Sequence, residues 1–284
     1  MRISITSLLF LFFTTLIFSQ NKPAYKLYNT NGSEVSYKKM IDKMSKADVV
    51  LFGEHHTNPI VHWLQLEATS ELNTSRKLIL GAEMFEADNQ QELNDYLSGK
   101  ITQKAYDTVA RLWKNYPTDY KPLVDFAKKN HLKFIATNIP RSFANKVYKG
   151  GFESLDSLTA EEKSWIAPLP IKYDANLPGY VKIKEMMGGH GGENLPKSQA
   201  IKDATMAYFI LENMENDKLF IHYNGSYHSD DFEGIYWYLK QGNPNLKIVT
   251  VSVLEAENVK KFDKEKKGKA DFIIVVPSTM TKTY

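Results

Sequence analysis

The chain has 284 residues and no cysteine, which excludes disulfides, thiolate metal sites, a cysteine nucleophile and a lipid-modified cysteine. Its formal net charge is +3, falling to +2 if Arg2 is removed with a leader, so there is no electrostatic case for nucleic acid. The densest basic run, Lys260 to Lys269, is interrupted by Asp263 and Glu265 and reads as a solvated loop.

Met1-Arg2 followed by the apolar run Leu8 to Phe18 has the form of a secretory signal, too short for a comfortable membrane span. Ser19-Gln20 ends the run, and cleavage is expected near Gln20; an uncleaved anchor is the alternative. No other segment approaches the ~18 unbroken apolar residues of a span. The expectation is a soluble mature chain of residues 21–284, periplasmic or secreted and not a lipoprotein. It is long enough for one large domain with a sizeable core.

Val49–Phe52 reads as a short buried strand running into Gly53-Glu54-His55-His56. Thr57 or Asn58 can cap the helix that follows, with Pro59 at its first position. That helix is predicted to run to Leu72, with His62 on its surface. Lys77–Phe85 is the next strand, with Glu83 its last polar residue, followed by helices over 89–97, 105–114 and 120–129. Leu132–Asn138 is a strand, and Pro140 opens a helix to about Tyr148. Glycines and prolines crowd residues 150–197, which are read as a lid insertion with short helices. A helix over 198–213, a strand over 218–224, a helix over 232–240 and strands over 247–254 and 272–276 complete the pattern.

Strands alternating with helices, several of them near-continuous apolar runs, predict an α/β fold. The expected architecture is a mainly parallel sheet with helices on both faces. In such sheets ligands bind outside the carboxyl ends of the strands. Those ends here offer Glu54, His55 and His56, then Glu83, then Asn138 with Arg141, then His222, Asn224 and His228. Each alone has an ordinary reading as a cap or turn residue; their conjunction on one edge predicts a functional cleft. Arg141 stands in the first turn of its helix, where the macrodipole disfavours a cation, which suggests a carboxylate partner from the protein or a ligand; an exposed arginine is the alternative. His190 lies among four glycines. The zinc-helix, phosphate-loop, nucleophile-elbow and dinucleotide motifs are all absent from the sequence.

Five segments occur in an order that resembles the ChaN-like haem-binding proteins: Gly53-Glu54-His55-His56, Gly81-Ala82-Glu83-Met84-Phe85, Asn138-Ile139-Pro140-Arg141, Ser198 to Ala207, and Tyr223-Asn224-Gly225-Ser226-Tyr227-His228. The similarity spans roughly residues 45–255. It also reaches a wider group resembling Tiki/TraB proteins and erythromycin esterases, which share a Gly-Glu-x-His motif. The resemblance implies an exported protein of haem or iron uptake that binds haem (iron porphyrin), with tyrosine or histidine ligation and a possible homodimer holding haem at its interface. His190 and Tyr180 are then the candidate iron ligands, with Arg141 and Asn138 as further haem contacts. The wider group implies an alternative: a hydrolase centred on Glu54, His56, Glu83 and His228. Those four could hold a divalent metal that activates water, or His56 could act as a base oriented by Glu54 or Glu83.

Overall fold

The computed structural model describes residues 22–186 and 192–284. The expected leader at residues 1–20, like His190, lies outside the described residues.

The order is β1 (Lys26–Asn29), α1 (Tyr37–Met44), β2 (Val49–Glu54), α2 (Pro59–Asn73), β3 (Lys77–Glu86), α3 (Gln90–Leu97), α4 (Gln103–Val109), α5 (Lys121–Lys129), β4 (Lys133–Asn138), α6 (Arg141–Gly150), α7 (Ala160–Lys163), α8 (Pro178–Met186), α9 (Asn194–Asn213), β5 (Lys218–Gly225), α10 (Ile235–Gly242), β6 (Ile248–Ala256) and β7 (Phe272–Pro277). The strands form one sheet in the order β1-β7-β6-β2-β5-β3-β4. β1 is antiparallel to β7, and every other pairing is parallel.

β2 shows why the apolar runs fold this way. All six of its residues are buried. Val50 and Phe52 pack into the larger core, under α1, α2 and the α3–α5 segment. Val49 and Leu51 pack on the opposite face with α9 and α10. A strand covered on both faces needs apolar side chains at both parities, which removes the alternating pattern.

The expected elements are present with shifted ends. The helix expected over 105–114 is α4, which stops at Val109, and Ala110 is extended. Residues 110–115 therefore form a connection that carries Trp113 towards the sheet edge. β1 and α1 lie ahead of the first strand read from the sequence. Asn58 is the cap of α2; its Oδ1 accepts from the amides of Ile60 and Val61 at 3.1 and 3.4 Å. The segment expected as a lid contains α7 and α8, and Tyr180 on α8 packs against α9. Among the described residues no helix is long and apolar enough to cross a membrane.

The strand order positions the site. From β2 the chain moves to β3 and β4 on one side, then inserts β5 between β2 and β3, and only then crosses to β6 and β7. The carboxyl ends of β2, β5 and β3 are therefore neighbours at the point where the winding reverses, the usual ligand position in open α/β sheets.

Candidate functional site

The strand ends bring Glu54, His56, Glu83 and His228 together, as the sequence predicts. Glu54 closes β2 and is 2% exposed. Its Oε1 accepts from the Tyr120 hydroxyl at 2.8 Å and lies 2.9 Å from His56 Nδ1. Its Oε2 accepts from Gln65 Nε2 at 2.8 Å. Burial opposes the Glu54 charge, but the donors His56 and Gln65, with His62 nearby, hold its pKa below the ordinary value. For His56, burial disfavours the cation, yet the bond to Glu54 and the charge of Glu83 win and raise its pKa. The His56 ring meets Trp113 edge-on at 5.0 Å between centroids.

Glu83 sits at an irregularity of β3, where the register with β4 shifts between Ala82 and Glu86. Such a bulge re-aims a side chain and frees backbone groups from the ladder. The freed Glu83 carbonyl accepts from Asn138 Nδ2 at 2.9 Å. The Glu83 carboxylate turns towards β5, where Oε2 accepts from the Gly225 amide at 2.7 Å and Oε1 faces His228 Nε2 at 3.1 Å. His228 Nδ1 lies 2.5 Å from Asp203 Oδ1 on α9. Burial would lower the His228 pKa, but Glu83 and Asp203 raise it to about 10. Burial likewise opposes the Glu83 charge; His228, His56 and the Gly225 amide hold its carboxyl well below the ordinary range. The Asp203 pKa is raised, because burial outweighs His228 there.

Gly225 lets His56 approach the backbone closely. A Cβ there would lie 2.9 Å from both Cε1 and Nε2 of His56 and 3.5 Å from Glu83 Oε2.

Beside this cluster lies a cleft of about 740 Å³ lined by residues of β3, β4, α6 and α9 and by the 110–115 connection. That volume is within the range of small-molecule sites. Leu112, Trp113 and Pro140 give it an apolar side, and the carboxylates Glu83, Glu86 and Asp88 with Asn138, Arg141 and Lys202 make most of its lining polar. Arg111 on the rim is paired with Glu86 and Asp88. Among the described residues, neither Arg141 nor Lys202 is in an ion pair, so the carboxylate partner expected of Arg141 is not supplied by them. Asn138 Oδ1 is buried with no hydrogen-bond partner among the described residues.

Three expectations change. His222 is not on the ligand edge: it is 0% exposed, between Thr137 Oγ1 at 2.7 Å and Asn224 Oδ1 at 3.1 Å. Burial lowers its pKa to about 4, so it is a neutral core residue. His62 is not on the helix surface: it is 6% exposed, 3.2 Å from Gln65 Oε1, and its Nε2 is 3.1 Å from the His56 carbonyl. The divalent metal on Glu54, His56, Glu83 and His228 also lacks support. Both ring nitrogens of His228 and Nδ1 of His56 face carboxylates, and a ring nitrogen facing a carboxylate as an N–H donor has no lone pair for an ion. Among the described residues no group of three or more His, Asp or Glu is arranged to hold one.

Tyr180 is 4% exposed, and its hydroxyl donates to Asp203 Oδ2 at 3.2 Å. Burial and the Asp203 charge push its pKa far above that of a free phenol. Tyr120, Gln65, Asp203, Lys202 and Trp113 were not singled out from the sequence as site residues. Gln65 and Thr69 could have been found as polar positions three and then four residues on from His62 along one face of α2, and Lys202 and Asp203 lie within the Ser198–Ala207 segment.

Comparison with known proteins bears on the fold and the family. The profile described as "Haem-binding uptake, Tiki superfamily, ChaN" matches residues 40–239. Among solved structures, that of cofacial haem binding to ChaN of Campylobacter jejuni superposes with a TM-score of 0.66 at 20% identity, over 89% of this chain and 97% of that one. A protein from Bacillus cereus superposes with a TM-score of 0.52 at 12% identity, covering 89% and 95%. At these identities the likeness is one of fold. Protein RETICULATA-RELATED 5, chloroplastic, of Arabidopsis thaliana is 26% identical over 139 residues, 46% of this chain but only 19% of that protein. With a family profile matched over most of its length, on an α/β sheet whose strand ends carry four of the five segments read from the sequence and whose helix α9 carries the fifth, the chain belongs to the ChaN haem-binding family of the Tiki superfamily.

Proposed function

We propose that this chain is an exported haem-binding protein of haem or iron uptake and that the cleft beside Glu83 is its haem site. The observation that carries the reading is the cleft's chemistry. Its mixed lining sets Leu112, Trp113 and Pro140, against which a porphyrin face can pack, beside the cations of Arg141 and Lys202. Propionate carboxylates are the natural partners of such cations, Arg141 through its planar fork and Lys202 as a point charge. Asn138 is held by its Nδ2 donating to the Glu83 carbonyl, and lies on the same lining. Haem, when bound, supplies an iron that takes an axial protein ligand.

The axial ligand is assigned to His190, outside the described residues. Tyr180 is the weaker candidate, because ligation would break its bond to Asp203 and require a phenolate in a site that strongly opposes one. The Glu54, His56, Glu83 and His228 cluster supports the cleft floor instead of hydrolysing a substrate. His228, doubly held as a cation, has no free base nitrogen at neutral pH. Residues 1–20 act as the export signal, leaving residues 21–284 as one domain, with the 150–197 segment as a lid, in the periplasm or medium without a lipid anchor. A homodimer with haem between the subunits is part of the same reading, after the cofacial arrangement described for Campylobacter jejuni ChaN.

Titration of residues 21–284 with haem, followed at the Soret band, tests this. Saturable binding weakened by His190→Ala supports the site. Saturable binding unaffected by that change, or by loss of Arg141 and Lys202, places haem elsewhere.

A further inference from the structure

After β7 the chain turns back over the carboxyl edge of the sheet, beyond the 40–239 span matched by the family. The Ser278 amide donates to the Ala256 carbonyl at 2.9 Å, and Met280 packs against the larger core. Lys282 pairs with Glu255, whose Oε1 also lies 3.5 Å from His55 Nδ1. The Thr283 amide donates to the Thr57 carbonyl at 3.0 Å. The Thr283 hydroxyl donates to Asp119 Oδ2 at 2.6 Å. Residues 282–283 thus fasten both ends of the short stretch His55-His56-Thr57.

Asp119 explains why this fastening reaches the site. It is 2% exposed, in the single π-helical turn Tyr116–Tyr120. Its Oδ2 accepts from Asn115 Nδ2 at 2.7 Å, and that same Nδ2 donates to the His56 carbonyl at 2.7 Å. His62 Nε2 lies 3.5 Å from Asp119 and 3.1 Å from the His56 carbonyl. The stretch is in neither helix nor strand; the His55 carbonyl accepts from the Asn58 amide, while the His56 and Thr57 carbonyls depend on side chains and on Thr283 for partners. The buried Asp119 carboxylate, in turn, accepts from both Asn115 and Thr283, so the two are joined through it.

We infer that Thr283 is a positioning residue: its hydroxyl and amide, through Asp119 and the Thr57 carbonyl, hold the His55–Thr57 stretch so that His56 stays between Glu54 and the cleft wall at Trp113. This rests on the proposed haem site for its functional consequence, but not for its structural one.

The test compares the wild type with Thr283→Val, which keeps the shape and loses the hydroxyl, and Thr283→Ser, which keeps the hydroxyl. Amide hydrogen exchange over residues 55–60 is measured by mass spectrometry, and haem dissociation by transfer to an excess of apomyoglobin. Thr283→Val is expected to speed exchange in that stretch by about tenfold, as loss of one hydrogen bond to a buried charge implies. Haem dissociation should quicken in the same variant, and Thr283→Ser should restore both. Wild-type exchange in Thr283→Val, or failure of Thr283→Ser to restore it, overturns the inference. Absence of haem binding in the wild type defeats the proposed haem site alone, and the exchange comparison still decides the role of Thr283.

Discussion

His228 Nε2 lies 3.1 Å from Glu83 Oε1, inside the protein, while the other ring nitrogen of His228 faces Asp203. One buried cation is thus shared by two buried carboxylates carried on β3 and α9. Attraction between close charges in the interior offsets the cost of removing them from water only while every member is present. Replacing His228 with Ala leaves two carboxylates without their cation, and the expected cost is about 3–5 kcal/mol of stability. Urea unfolding at pH 7 measures it; a loss below about 1 kcal/mol would contradict the structural role.

The same group lowers stability at alkaline pH. Its pKa is raised from 6.5 to about 10 on folding. Stability from His228 is therefore fully present below pH 6.5 and is lost as pH rises through about 10. His222 acts in the opposite sense. Its pKa falls from 6.5 to about 4, so its contribution is lost as pH drops through that interval. Glu83, held low, resists acid until pH is well below the ordinary carboxylate range. Melting temperature against pH should fall on both sides of neutrality, and His222→Asn should flatten the limb between pH 6.5 and 4. An unchanged acid limb in that variant would contradict the neutral, buried assignment.

Two glycines at the strand ends should respond differently to alanine. A Cβ on Gly53 would lie 2.5 Å from the Val251 carbonyl oxygen and 3.0 Å from Ser226 Cα, both backbone atoms. The sheet must shift, and Gly53→Ala should cost about 1–3 kcal/mol. At Gly225 the obstacle is the far end of the His56 side chain, which can rotate away. Gly225→Ala should keep most of the stability while displacing His56 from Glu54. Urea unfolding and the imidazole NMR signals of His56 separate the two; equal destabilisation with an undisturbed His56 would contradict this geometry.

Arg141 and Lys202 should each contribute to haem affinity through partly exposed, charge-assisted contacts. Arg141→Ala and Lys202→Ala are each expected to weaken binding by about three- to tenfold, less at high salt. Haem titrations at two ionic strengths test this. Affinity unchanged in both variants would remove the propionates from this rim.

The strands, the strand ends and their convergence were legible in the sequence because each rests on local chemistry. Val49–Phe52 is an apolar run, Asn58-Pro59 is a cap followed by a proline, and Glu54, Glu83 and His228 stand where polar residues interrupt apolar strands. What was not legible depends on tertiary contact. His62 has the composition of a surface position, yet it is buried because the His56 carbonyl and Gln65 satisfy its ring. His222 looks like a strand-end ligand, yet the register places it opposite Leu51 and Gly81, deep in the sheet. Asp203 is one polar residue of a long helix until β5 brings His228 to it. Thr283 lies 164 residues from Asp119, and no periodicity announces a contact of that kind.

The most direct test of the haem site is a haem titration of residues 21–284, with the wild type and the Arg141→Ala/Lys202→Ala double variant measured side by side by visible absorption. The account predicts a saturable Soret shift in the wild type and a clearly weaker one in the double variant, with both proteins folded. A folded wild type that shows no saturable shift, or a double variant that binds haem as tightly as the wild type, would contradict it.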